Sequence, residues 1–172
     1  GGEKPPPPKK TFLNMIRVGM GYDVHKLVEG RPLYLGGIKI DHTLGLLGHS
    51  DADVLLHAVC DALLGAANMR DIGYHFPDTA DETLDMDSKV ILQKTIELIA
   101  TKGYCVGNID ATVCAERPKI NPHIPAMKAC MAEIIGCDED AISIKATTSE
   151  RMGFVGREEG IAAYAVCLIE KV

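Results

Sequence analysis

The sequence predicts a single α/β (α+β) domain, a mixed sheet with helices packed on one of its faces. Three observations carry that expectation. The chain has 172 residues, room for one self-sufficient core and too few for two ordinary ones. Apolar residues recur with strand and helix periods in the order strand, hairpin, helix, long irregular stretch, helix, strand, helix, strand, strand. No internal repeat and no apolar run long enough to span a bilayer interrupts that order.

Taken in order, GGEKPPPPKK at the start reads as extended and proline-rich. Residues 1–14 are therefore expected to be a flexible tail or linker, and 15–172 the domain. Met15 to Val24 reads as the first strand, with Gly19 and Gly21 permitting close backbone approach. Leu33–Leu35 and Ile38–Ile40 flank Gly36-Gly37 as a short hairpin. Ser50-Asp51-Ala52-Asp53 opens a helix with capping side chains, Ser50 among them. Its apolar face is Leu56, Val59, Leu63 and Leu64, and it ends near Asn68. Residues 69–87 look irregular, and loops of that length tend to be functional or mobile. Ser88 reads as the cap of a second helix carrying Leu92, Ile96 and Ile99, stopped by Gly103. Tyr104–Ala115 alternates as a strand, and Asn121-Pro122 starts a third helix closed by Gly136. Ala141–Thr148 and Ile161–Ile169 are the last strands.

Eighteen Lys and Arg against 24 Asp and Glu give a net charge of −6, which argues against nucleic acid as the main partner. The six cysteines contain no Cys-x-x-Cys pair, and several sit in apolar runs, as reduced, buried thiols do. The N-terminal residues lack the apolar stretch of a secretory signal. Neither a Walker nor a Rossmann glycine pattern is present, so any phosphate site is built differently.

Several residue sets could carry chemistry. In Asp23-Val24-His25, residues two apart on a strand share a face, so a carboxylate and an imidazole converge. One more nitrogen would complete a three-ligand zinc site with an open position. His57 is the candidate, with Asp53 and Asp61 at i−4 and i+4 able to hold its second nitrogen, although a helical histidine among apolar residues is commonly a core residue. His49-Ser50 before the helix combines an imidazole, a hydroxyl and backbone N–H groups, an arrangement suited to anions or simply to capping. Lys145-Ala146-Thr147-Thr148-Ser149-Glu150 places hydroxyls beside a carboxylate able to share Mg²⁺ with phosphates. In the glycine-rich turn Gly153–Gly160, Arg157 offers donors to phosphate or pairs with a neighbouring glutamate.

Together these segments resemble the 2-C-methyl-D-erythritol 2,4-cyclodiphosphate synthase family of the non-mevalonate isoprenoid route. The resemblance runs from about Ile16 to the C-terminus through Gly21-Tyr-Asp-Val-His25, His49-Ser-Asp-Ala-Asp-Val-Leu-Leu-His57, Asp61-Ala-Leu-Leu-Gly-Ala and Asp71-Ile-Gly73. It continues through Phe76-Pro-Asp78, Arg117-Pro-Lys119, Lys145-Ala-Thr-Thr148 and Gly156-Arg-Glu-Glu-Gly160. The resemblance implies a phosphorus–oxygen lyase, a homotrimer with active sites between subunits. Its substrate would be 4-diphosphocytidyl-2-C-methyl-D-erythritol 2-phosphate, whose 2-phosphate attacks the β-phosphorus and expels CMP, leaving a cyclic diphosphate. Asp23, His25 and His57 would hold Zn²⁺, and Glu150 would help hold a second divalent cation, Mg²⁺ or Mn²⁺. His49 and Thr148 would stabilise charge during transfer, with Ser50 beside them at the anion site. Asp71, Ile72, Gly73, Phe76, Pro77, Asp78, Thr79 and Ala80 would grip the methylerythritol and its phosphate. Ala115, Pro118, Lys119, Ile120 and Asn121, with Ala146 and Thr147, would surround cytosine and ribose. Phe154, Arg157 and Glu159 would lie near the trimer axis, where a cavity can take an isoprenoid diphosphate.

Met20, Tyr22 and Tyr164 depart from the family's more usual residues, the last of them at a position facing the axis, while the metal and phosphate positions are intact. Two other readings share the same residues: a zinc-dependent phosphodiesterase using water, and a metal-free binding module. The resemblance implies a bacterial cytoplasmic protein, or a plastid one in a eukaryote. The proline-rich start would then be a linker from a fused cytidylyltransferase, a tag or a transit-peptide remnant.

Overall fold

A computed structural model describes residues 15–79 and 84–172. The tail expected over 1–14 and the candidate residue Ala80 lie outside the described residues. The strands are β1 (Ile16–Glu29), β2 (Leu33–Leu35), β3 (Ile38–Ile40), β4 (Leu44–Leu47), β5 (Tyr104–Cys114), β6 (Ile142–Thr147) and β7 (Gly160–Lys171). The helices are α1 (Val54–Ala66), the single-turn α2 (Ile72–His75), α3 (Ser88–Thr101), α4 (Ile124–Ile135) and the single-turn α5 (Gly153–Gly156). The main sheet has the order β4-β1-β7-β5-β6. Its pairs are antiparallel except β5 with β6, so it is mixed, as expected.

β1 owes its place to alternation. Gly19, Gly21, Asp23 and His25 point toward α1, while Ile16, Val18, Met20, Tyr22 and Val24 are exposed on the other face. A Cβ on Gly19 would lie 1.9 Å from the Ala62 carbonyl oxygen, and one on Gly21 would lie 1.8 Å from that of Ala58. Helix and strand therefore meet backbone to backbone, at a separation only glycine permits. Two and four residues further along the same face stand Asp23 and His25, and α1 delivers His57 to them.

α1 is not the amphipathic helix of the sequence reading. From Val54 to Leu64 every side chain except Asp61 is buried. The sheet covers one side, and α3 together with the β2–β3 hairpin covers others. A helix enclosed in this way needs no polar face. Its cap is Asp53, not Ser50: Asp53 Oδ1 accepts from Leu56 N at 3.0 Å. The same carboxylate accepts from Gly36 N at 2.9 Å and Gly37 N at 2.7 Å. Both glycines have positive φ, 61° and 77°, as the tight hairpin requires, so the turn is locked onto the helix start.

Other expectations shift at their edges. β1 continues past Val24 to Glu29 because β4, which the sequence did not reveal, pairs with Lys26–Glu29. The 69–87 stretch contains α2, and Asp87 rather than Ser88 caps α3, accepting from Lys89 N at 2.9 Å. Asn121–His123 forms a 3₁₀ turn, and α4 begins at Ile124. Gly153–Gly156 is a helical turn inside the predicted glycine-rich loop. The cysteines are free: Cys60 and Cys167, in apolar runs, are buried, Cys114, Cys130 and Cys137 are half-buried, and Cys105 is exposed.

Candidate active site

Strand β1 presents Asp23 and His25 on the α1 side, and α1 presents His57 from its first turn. Asp23 Oδ2 lies 2.9 Å from His25 Nε2 and 3.1 Å from His57 Nδ1. The two ring nitrogens are 3.3 Å apart. Among the described residues these three side chains form a group whose ligand atoms all lie within 4.8 Å of one another.

The other ring nitrogens decide what this cluster can hold. His25 Nδ1 sits 2.9 Å from the Leu47 carbonyl oxygen, an acceptor only, so Nδ1 carries the proton and Nε2 offers a lone pair. His57 Nε2 lies 2.8 Å from Ser88 Oγ. The Ser88 hydroxyl donates to the Asp51 carboxylate, so its oxygen accepts from His57 Nε2–H and leaves Nδ1 unprotonated. A carboxylate oxygen and two imidazole lone pairs therefore converge, and the cluster requires a positive charge between them, either protons or a cation. Two nitrogens and one oxygen at this spacing suit a divalent ion with an open coordination position. Asp53 and Asp61, which the sequence offers as partners for the second nitrogen of His57, do not hold it. Asp53 is taken by the α1 cap, and Asp61 Oδ1 accepts from Ile72 N at 2.8 Å.

The cluster lies in a pocket of about 220 Å³, lined also by Gly48, His49, Ser50, Ile72, Gly73, Phe76, Asp78 and Ile91. His49, Ser50 and residues of the α2 segment thus share this pocket with the candidate ligands. Asp71 caps α2, accepting from Tyr74 N at 2.9 Å, and Pro77 and Thr79 follow on the exposed rim. A second pocket of about 270 Å³ is lined by Ala115, Glu116, Pro118, Lys119, Ile120, Asn121, Ala146, Thr147 and Thr148. It gathers the candidate cytosine and ribose residues where the parallel strands β5 and β6 end. Within one chain the two pockets share no lining residue. Glu150 lines neither; its N–H lies 3.3 Å from Thr148 Oγ1. Phe154 borders a third, open pocket with His25 and Glu159. Arg157 pairs with Glu159, its Nε 3.1 Å from Oε1.

Three supporting residues escaped the sequence reading. Ser88 was read as a cap, and Asp51 as one of a run of capping residues. Glu116 accepts from Ser149 N at 3.1 Å and Arg151 N at 3.0 Å, holding the turn that carries Glu150 against the end of β5. Only the composition of the 49–53 run signalled any of this.

The YgbB family model matches residues 16–170. A 2-C-methyl-D-erythritol 2,4-cyclodiphosphate synthase of Bacteroides thetaiotaomicron is 72% identical over 156 residues, covering 91% of this chain and 98% of the relative. Among solved structures, the bifunctional IspDF of Campylobacter jejuni superposes with a TM-score of 0.90 at 39% identity, over 93% of this chain and 43% of that one. A CDP-bound 2C-methyl-D-erythritol-2,4-cyclodiphosphate synthase gives 0.82 at 36% identity, over 89% of this chain and 99% of that one. With its metal-ready cluster lining one pocket and the matching motifs around both, the chain belongs to the YgbB family of 2-C-methyl-D-erythritol 2,4-cyclodiphosphate synthases.

Proposed function

We propose that this chain converts 4-diphosphocytidyl-2-C-methyl-D-erythritol 2-phosphate to 2-C-methyl-D-erythritol 2,4-cyclodiphosphate and CMP, a step of isoprenoid precursor synthesis, in the cytoplasm of a bacterium. The observation that carries the reading is the convergence of Asp23, His25 and His57 in a pocket that also holds His49 and Ser50.

The nucleophile of this reaction is already a phosphate anion, so the site needs no strong base; it needs to hold two anionic groups together and offset their repulsion. Zn²⁺ on Asp23, His25 and His57, with Mg²⁺ or Mn²⁺ on Glu150, would supply that offset as Lewis acids and templates. His49 and Ser50 bring an imidazole and a hydroxyl to the same pocket. Ile72, Gly73, Phe76 and Asp78, which line the same pocket, and Asp71, Pro77 and Thr79 next to them in the chain take the methylerythritol portion. Ala115, Pro118–Asn121, Ala146 and Thr147 take the cytosine and ribose. Thr148 at the edge of that second pocket donates to the diphosphate as the bond to CMP breaks.

In this reading, as the resemblance implies, the assembly is a homotrimer and a substrate reaching both pockets is held between neighbouring subunits; that the two pockets share no lining residue within one chain is consistent with it. The exposed face of β1 and β7, with Val18, Met20, Tyr22, Val24, Tyr164 and Val166, supports that arrangement. Phe154, Arg157 and Glu159 flank the same side, where a central cavity could receive an isoprenoid diphosphate. Among the described residues no helix is long and apolar enough to cross a membrane.

Release of CMP by the purified protein tests the reading. Wild type with zinc and magnesium releases it, His57→Ala does not, and Thr148→Ala is slowed by roughly 10²-fold or more, the scale of losing one transition-state donor. CMP release by His57→Ala at the wild-type rate would overturn the assignment.

A further inference from the structure

Behind the three candidate ligands lies a chain of polar side chains that neither the motifs nor the relatives' names assign. His57 is 6% exposed and Ser88 is fully buried. His57 Nε2 and Ser88 Oγ are 2.8 Å apart, and Ser88 Oγ donates to Asp51 Oδ1. Asp51 is itself fixed: its Oδ2 accepts from Ser88 N at 2.9 Å, its Oδ1 accepts from Asp53 N at 3.1 Å, and its own N–H donates to Met86 O at 3.2 Å. Ser50 Oγ stands 3.3 Å from the same His57 nitrogen but also accepts from Ala52 N at 3.2 Å. Ser88 is thus the nearer partner.

We propose that Ser88 and Asp51 are positioning residues that hold His57 in the Nε2–H tautomer and aim its Nδ1 lone pair at the metal position. The inference rests on reading Asp23, His25 and His57 as a metal centre. The Asp51 carboxylate accepts the single hydroxyl proton of Ser88. The Ser88 oxygen can then only accept from His57, which forces the proton onto Nε2. Outer partners of this kind fix ring orientation and raise ligand basicity. The chain also ties three distant segments together. Asp51 comes from the loop before α1, His57 from α1, and Ser88 from the start of α3 just after the long 69–87 connection. A second link, Asp85 N to His49 O at 2.9 Å, fastens the same connection beside His49.

Ser88→Ala deletes one buried atom and Asp51→Asn keeps the shape of the carboxylate. Each is compared with wild type and His57→Ala in three measurements: zinc affinity by competition with a chromophoric chelator, the His57 ring tautomer by nitrogen NMR of the metal-free protein, and metal-free melting. Both variants are expected to stay folded, lose the Nε2–H tautomer as the dominant form, and bind zinc about 10- to 100-fold more weakly. Wild-type zinc affinity and an unchanged tautomer in Ser88→Ala, with His57→Ala unable to hold zinc, would overturn the positioning role alone. A wild-type protein that holds no zinc, or a His57→Ala variant that holds it as well as wild type, would sink the metal-centre reading beneath it.

Discussion

At Asp23, three effects compete and the balance is visible. Burial raises the carboxyl, but hydrogen bonds and charge from His25 and His57 outweigh it and hold it down at about 2. Burial lowers the His25 imidazole, while the hydrogen bond and charge of Asp23, aided by the Leu47 carbonyl, carry it above its ordinary value. In the metal-free protein, Asp23 therefore contributes stability that is fully present above its unfolded value of 3.8 and is lost as pH falls through about 2. His25 contributes stability that is present below its unfolded value of 6.5 and is lost as pH rises through its higher folded one. A cation reverses the second trend, because it competes with the proton on His25. Melting measured from mildly acidic to mildly alkaline pH should show the metal-free protein losing stability. The stabilisation gained from added zinc should grow over the same range. A zinc effect that shrinks as pH rises would contradict ligation by His25.

Between elements, the decisive contact is the crossing of α1 over Gly19 and Gly21. Gly21→Ala would drive a methyl into the Ala58 carbonyl, 1.8 Å away, and should cost about 1–3 kcal/mol or more while weakening metal binding as α1 moves off β1. Gly65, at the end of the same helix, has open space around its Cβ position. Gly65→Ala should stabilise by roughly 0.5–1 kcal/mol through helix propensity alone. Urea denaturation of the two variants separates close packing from propensity, and equal effects would deny the crossing its role. The glycine pair was legible in the sequence because strand alternation put it on the ligand face. β4 was not: Leu44–Leu47 is only four residues long and is interrupted by Gly45, yet its Leu47 carbonyl fixes the tautomer of His25. The caps were misassigned for a related reason. Ser50, Asp51 and Asp53 are all good capping types, and only the demand of His57 for a buried partner, together with the fit of Asp53 to the hairpin glycines, sorts them. A partner contributed from 31 residues away, as Ser88 is to His57, leaves no local pattern to read.

Over the whole molecule, the sheet has one face packed with helices and one left apolar and open. Tyr22 and Tyr164 pack on that open face with ring centroids 5.0 Å apart, between Met20 and Val24 on β1 and beside Val166 on β7. A carboxylate there, in Met20→Asp with Val166→Asp, should give a monomer by sedimentation that still binds zinc but does not turn over, since each half-site would lack its neighbour. An active monomer would contradict a site shared between subunits. The motifs made the ligand and pocket residues legible, because each lies within a short contiguous segment. The separation of the two pockets could be seen only in three dimensions. The central claim is cyclisation, and phosphorus NMR of the purified protein with the diphosphocytidyl substrate, zinc and magnesium tests it most directly. The account predicts two mutually coupled signals of a cyclic diphosphate appearing with CMP; CMP accompanied by free phosphomonoesters would contradict it.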